Sequence, residues 1–238
     1  GEILSHNRFF LFRSWRITMK KLIQLTAFLV IVFSFASNIW AQGEAAVPFL
    51  LIAPGARPCG MGEAGVAMAD EATAVFWNPA GLAFQYENPE VDKQGEISVM
   101  HVKWLPQFNF SDLWYDYLAG RYYIEDIGMV GGSITFLNLG ENVATDENGI
   151  ELGTFDSFEY AITASYATKL KQNLGLGVNL KFIQSNLTDK NLQIGSENRD
   201  GRSSSFAVDV GVLWKPAYPF LQDNLSLGAN LSNFGPKM

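Results

Sequence analysis

The residues able to do chemistry in this sequence are few, and their spacing builds no reaction centre. Histidine occurs twice, at His6 and His101, and cysteine once, at Cys59. His6 belongs to a leader, so one imidazole remains, and neither a Ser-His-Asp relay nor a His-rich metal site can be assembled around it. Flanked by Met100 and Val102, His101 reads as a packed structural residue. A lone cysteine excludes an internal disulfide and any cysteine-based metal cluster. Cys59 follows Ala56-Arg57-Pro58 well beyond the apolar leader, so it suits a buried small hydrophobe better than a lipid anchor. Asp112, Asp116, Asp146 and Glu147 could gather a cation, but a solvated acidic surface accounts for them as simply. Gly60-Met61-Gly62 and Gly175-Leu176-Gly177 fall short of a phosphate-binding loop, and neither lies between a strand and a helix. The expectation is a protein that is not an enzyme, with no cofactor and no resident metal.

The residues with recognition chemistry are aromatic. Phe108, Phe110, Trp114 and Tyr115, with Asp112 among them, fall between two apolar runs and read as a candidate partner-contact loop, because rigid aromatics dominate interface hot spots. A second concentration lies at Pro48–Phe84, where small side chains prevail. Gly55, Gly60, Gly62 and Gly65 are placed for positive φ or close approach to another wall. Asn78-Pro79-Ala80-Gly81 carries a cap, a residue suited to the first helical position and a residue that can end the helix. Such a segment has little amphipathic surface of its own and needs an enclosure.

Composition indicates what the enclosure is. Only 17% of the 238 residues are charged, against about a quarter in soluble domains, and 48% are hydrophobic. Residues 1–41 carry net +4 and the remainder −11, which argues against nucleic acid as a partner. Met19-Lys20-Lys21, the apolar stretch Leu22–Ala36 and Ala41 before Gln42 have the three regions of a secretory signal. Residues 1–18 then read as upstream translated residues, 19–41 as the signal peptide, 42–84 as an N-terminal plug segment and 85–238 as a wall.

That wall has period two. Leu174, Leu176, Val178, Leu180 and Phe182 alternate with small or polar residues, as do Phe206, Val208, Val210, Val212 and Trp214. Similar runs at 158–167 and 225–231, and noisier ones near 96–104, 118–124 and 128–138, make seven strands. Short joints at 125–127, 170–173 and 217–223 alternate with long ones at 105–117, 139–156 and 187–203, the arrangement of a meander crossing a bilayer. A soluble β-sandwich shares the alternation. Export, strand length and the aromatics Tyr160, Tyr166 and Trp214 near strand ends favour an all-β transmembrane antiparallel barrel, with Gly175, Asn179, Asp209 and Asn230 facing its lumen. An odd strand count leaves an edge unpaired, so the expectation is an N-terminal fragment of a larger barrel.

The segment GMGEAGVAMADEATAVFWNPAGLA, together with His101-Val102-Lys103-Trp104-Leu105-Pro106 and the stretch from Asp112 to Gly120, resembles the PorV/PorQ family within the FadL-like outer-membrane barrels, over residues 44–238. The resemblance implies a barrel of about fourteen strands, even as closure prefers. Its N-terminal plug would include Gly60, Gly62, Gly65, Asn78, Pro79 and Gly81. It also implies location in a Gram-negative outer membrane, contact with outer-membrane lipid, and work in type IX secretion. There the partners are translocon and attachment-complex proteins and secreted clients carrying a C-terminal sorting domain. FadL relatives move hydrophobic molecules, which is the alternative. Pro58-Cys59 and Glu63 depart from the small residues commoner at those positions.

Overall fold

In the computed structural model the alternating runs become one antiparallel meander. The structure describes residues 47–108, 112–145, 148–188, 201–216 and 225–236. All of these lie in the unit Ala46–Met238; the segments 1–18 and 19–41, read as leader, lie outside the described residues. The seven strands are β1 Gly95–Lys103, β2 Trp114–Ile124, β3 Gly128–Thr145, β4 Glu151–Lys171, β5 Leu174–Asn186, β6 Arg202–Trp214 and β7 Leu227–Phe234. Each pairs with its neighbour in sequence, so the sheet order runs β1 to β7 without a crossover. Before β1 come four short helical turns, Pro48–Leu51, Ala56–Gly60, Ala74–Trp77 and Pro79–Phe84.

The two faces of the sheet are inverted relative to a soluble protein. Outward residues are apolar and open: Val99 on β1, Leu118 on β2, Ile134 on β3, Ile162 on β4, Val178 and Leu180 on β5, Val208 and Val210 on β6. The inward face is covered and mixed, with Ser133, Thr135, Thr163, Ser165, Asn179, Lys181, Ser205 and Asp209 beside Leu137, Ile183 and Leu213. Leu180 is 57% exposed while Asp209, next to its register partner Val208, is 0% exposed, an arrangement that water would oppose and hydrocarbon rewards. No helix among the described residues is long and apolar enough to cross a membrane, so strands are the crossing elements.

Outward aromatics form two oblique bands. On the long-loop side stand Trp114, Phe136, Phe158, Tyr160, Phe182, Phe206 and Phe234, and the rings of Phe136, Phe158, Tyr160, Phe182 and Phe206 follow one another at 5.3 to 6.5 Å. Followed through the strand register, Trp114 lies level with Phe158, Phe206 with Ile162, and Phe234 with Ala164. That drift of six residues over five strand spacings is roughly 20 Å along the strands against roughly 24 Å across, an inclination of about 40°. The second band, Tyr122, Tyr166 and Trp214, drifts the same way. Interfacial aromatics mark the membrane plane, and transmembrane barrel strands tilt by about this angle.

Several boundaries differ from the sequence reading. β2 begins at Trp114, inside the stretch taken as a loop, and β3 and β4 run far into the expected loop at 139–156. Beyond Asn138 and before Phe158 these two strands pair only with each other, so a two-stranded ribbon stands clear of β2 and β5 on the long-loop side. A bulge at Asn138/Gly140 bends its base. Gly140 has φ +74°, and a Cβ there would lie 2.2 Å from Asp112 Oδ2, which accepts a bond from Glu141 N at 2.9 Å.

Candidate functional site: a plug seated in a glycine groove

The segment Pro48–Phe84 packs on the inward face and is touched from one end of the sheet to the other. Gly55 N approaches Met100 Sδ on β1, Tyr115 OH on β2 donates to Ile52 O at 3.1 Å, and Asn230 Nδ2 on β7 donates to Trp77 O at 3.2 Å. Phe49 and Ala72 pack with Tyr115, Tyr117, Leu137, Ala161, Ile183 and Ala207 toward the long-loop side. Val75 and Leu82 pack with Met129 and Ala167 toward the short turns.

At the centre is Asn78-Pro79-Ala80-Gly81. Asn78 caps the turn Pro79–Phe84 as the sequence predicts, with Oδ1 accepting from Ala80 N at 3.1 Å and Pro79 at the first helical position. Its Nδ2 donates to Val66 O at 2.8 Å and to Val212 O on β6 at 3.1 Å. One side chain therefore caps the helix, ties down the preceding loop and fastens both to the wall. The wall meets it with glycine: Gly177 and Gly211 are directly opposed on β5 and β6. A Cβ on Gly177 would lie 2.2 Å from the carbonyl carbon of Pro79, and one on Gly211 would lie 2.2 Å from Asn78 Oδ1. We expect Asn78→Ala to lower the stability of the folded protein in lipid by about 2–3 kcal/mol, because a cap and two buried carbonyl partners go together. A urea midpoint unchanged from wild type would show that the fastening is dispensable.

Beside this seat is a buried polar network. Asp209 Oδ2 accepts from Lys181 Nζ and from Asn179 Nδ2, each at 2.7 Å, and Oδ1 accepts from Asn233 N at 2.7 Å. Asn179 Nδ2 also donates to Val75 O in the plug at 2.7 Å, and its Oδ1 accepts from Ser165 Oγ at 2.6 Å. The ion pair is thus hydrogen-bonded on both sides, which burial of charge requires. At the short-turn end, Phe84 lies under Lys215 and Lys169, 4.3 and 5.2 Å from its ring centre, and Lys169 pairs with Glu87. In the connector, amides of Asn88 and Glu87 donate to Asp92 Oδ2 at 2.7 and 2.8 Å and hold its carboxyl below the usual carboxylate range.

Some expectations are corrected. Gly60 is helical, and a Cβ there would meet nothing within 4 Å, so glycine is not required. Gly62 has φ +70° and Gly65 lies against the Trp77 ring, as expected of them. Gly81 does not end its helix, which runs on to Phe84; instead a Cβ there would lie 2.1 Å from Ala69 O. Cys59 is exposed, because its five-residue helix buries only Pro58. His101 is not packed but turned outward, with Asp116 Oδ1 2.5 Å from Nδ1. Tyr115 is fully buried on the inward face, which takes it out of the set able to touch a partner from a loop; Trp114 points the other way, at the girdle. The backbone of Phe108 closes the turn Pro106–Phe108, whereas Phe110, Asp146 and Glu147 lie outside the described residues. No group of three or more His, Cys, Asp or Glu able to hold a metal occurs among the described residues.

Residues 40–238 match the family of type IX secretion system protein PorV. This chain belongs to the PorV family. The match covers the plug segment and all seven strands, so the glycine groove and the inverted wall are features of a PorV-family chain rather than of a generic β-protein. Membership makes it a component of type IX secretion at the outer membrane. Among curated proteins none matches the chain.

Proposed function

We propose that this PorV-family protein is a non-catalytic binding component of type IX secretion. It receives secreted clients that carry a C-terminal sorting domain and passes them from the translocon to a surface attachment complex. The observation that carries this reading over a channel is the fastening of the plug. Side chains on β2, β5 and β7, and a carbonyl on β6, each hold plug groups by hydrogen bonds. A FadL-like transporter of hydrophobic molecules would need a plug free to move and an apolar path. The apolar inward residues, such as Leu137, Ile183 and Met129, are covered by the plug itself, and a cavity of about 680 Å³ at the short-turn side is lined by Asp70, Asp92, Lys93, Glu96, Arg121 and Lys215 among others.

Partner contact is assigned to the long-loop end. There the β3–β4 ribbon carries exposed Val143 and Leu152, and Asp112 accepts from Glu141 N at its base. Tagged full-length protein isolated from native outer membranes is expected to bring type IX components and clients with it. The double substitution Val143→Asp, Leu152→Asp should lose them while the barrel keeps its resistance to unheated detergent. Undiminished recovery from that variant would count against the ribbon; no type IX component with wild type would count against the function itself. Uptake of a labelled hydrophobic solute by vesicles containing the protein would favour the transporter.

A further inference from the structure

At the short-turn end the chain leaves the plug through Tyr86, whose ring meets that of Tyr123 on β2 with centres 4.4 Å apart and planes inclined by 34°. Between this pair and the turn that joins β2 to β3 lies a cleft of about 290 Å³, floored by Ala83 and Met129 and rimmed by Asp126 and Lys169. β2 ends at Ile124, two residues past Tyr122 of the inner aromatic band, and Asp126 stands in the turn beyond it. The rim is therefore on the water side of the band, and brief turns of such walls face the periplasm.

The charges on that rim are not balanced. Lys169 already pairs with Glu87, and its ammonium lies 5.2 Å from the centre of the Phe84 ring. The carboxylate of Asp126 has no ion pair or hydrogen bond among the described residues, and a φ of +62° fixes it in a turn closed by Ile127 N donating to Ile124 O at 3.2 Å. The hydroxyls of Tyr86 and Tyr123 are also without a hydrogen bond among the described residues. What the cleft lacks is positive charge and donors. Its volume falls just under the roughly 300–1,000 Å³ of small-molecule sites, which suits one long side chain. Arginine answers each feature, because its stem covers apolar surface, its planar head stacks on aromatic rings and its fork of donors matches a carboxylate. Lysine keeps the charge and loses the stacking and the fork. Ile127, on the same rim, is 53% exposed and gives an apolar contact to whatever carries the arginine, which a free organic cation would leave in water.

We propose that this cleft receives an arginine side chain of a periplasmic protein, held by Asp126 and the Tyr86–Tyr123 pair, with Ile127 against the chain that presents it. This rests on the reading of the protein as part of a secretion assembly, and it adds a periplasmic attachment to the contact assigned to the long-loop end. Tyr86 belongs to the connector leaving the plug and Tyr123 to the wall, so one arginine bridges the two.

The test places a photoreactive benzophenone side chain at Ile127 in the full-length protein in its native outer membrane. Irradiation should give a product with a periplasmic protein, its attachment mapping by mass spectrometry to within a few residues of an arginine. Asp126→Asn removes the charge and keeps a residue tolerant of positive φ, and it should lower the yield about tenfold or more. Glu90→Gln removes an exposed acid of the same connector outside the cleft and should leave the yield unchanged. Both variants should keep resistance to unheated detergent. No protein product, a product with a second copy of this chain, attachment far from any arginine, or equal yields from wild type and Asp126→Asn would each overturn the proposal. An equal fall in Glu90→Gln would overturn it too, by making the attraction one of general charge. If any of these occurs while type IX components still co-isolate with wild type, the cleft contact fails and the secretion reading stands.

Discussion

Asp209→Leu should be among the most damaging single changes in the chain, lowering the stability of the folded protein by about 3–5 kcal/mol. The carboxylate is fully buried and holds Lys181, Asn179 and the amide of Asn233. Removing it strands a buried ammonium, which costs more than the pair contributes. The second half of the prediction separates this from loss of packing. Lys181→Met added to Asp209→Leu should recover much of the loss, because two apolar side chains of similar volume leave no uncompensated charge. Urea unfolding in lipid, followed by loss of detergent resistance, reads both. A single variant as stable as wild type, or a double variant worse than the single, would mean that the network is wet and weakly coupled.

The second large effect is expected from Gly177→Leu. At this position the new Cβ would lie 2.2 Å from the Pro79 carbonyl carbon and 2.3 Å from Ala80 N, and backbone cannot step aside as a flexible side chain can. Either the wall bends or the turn Pro79–Phe84 leaves its seat, at a cost above about 3 kcal/mol. The strands pair without the plug's help, so the second outcome is favoured. The barrel should stay resistant to detergent while proteinase K gains access to residues 48–84. Gly60→Ala is the matched control, since nothing lies within 4 Å of its added carbon. Equal protease resistance in Gly177→Leu and wild type would remove the groove from the account of plug seating.

Much of this was legible in the sequence because barrel walls write one face at every second residue. Val178, Leu180, Val208 and Val210 alternate with Asn179 and Asp209, a pattern a soluble sandwich shares, and export with aromatic strand ends separates the two. The Asn-Pro-Ala-Gly turn was legible in its cap, but not in its attachments: Asn179 and Val75 are 104 residues apart, and period alone cannot bring them together. The ribbon escapes a period-two reading because one face carries Glu141, Val143, Thr154 and Asp156 and the other Asn142, Ala144, Gly153 and Phe155, so neither face is consistently apolar. His101 was misread for a related reason. Met100 and Val102 point inward, and a strand residue's sequence neighbours say nothing of the face it occupies. Tyr115 looked like a loop aromatic because the plug, absent from any local window, is what gives an inward tyrosine something to pack against.

The oblique aromatic bands have a consequence for the membrane itself. Trp114 and Tyr122 on β2, and Phe206 and Trp214 on β6, are eight residues apart. That is roughly 27 Å along a strand and roughly 21 Å along the bilayer normal at the inferred tilt. The apolar band of outer-membrane barrels is about 25 Å tall, in a membrane thinner than average, so lipid beside this wall thins by only a few ångströms. The strain in that compressed annulus falls when two such walls share a boundary, which gives short-walled proteins a lipid-mediated reason to gather.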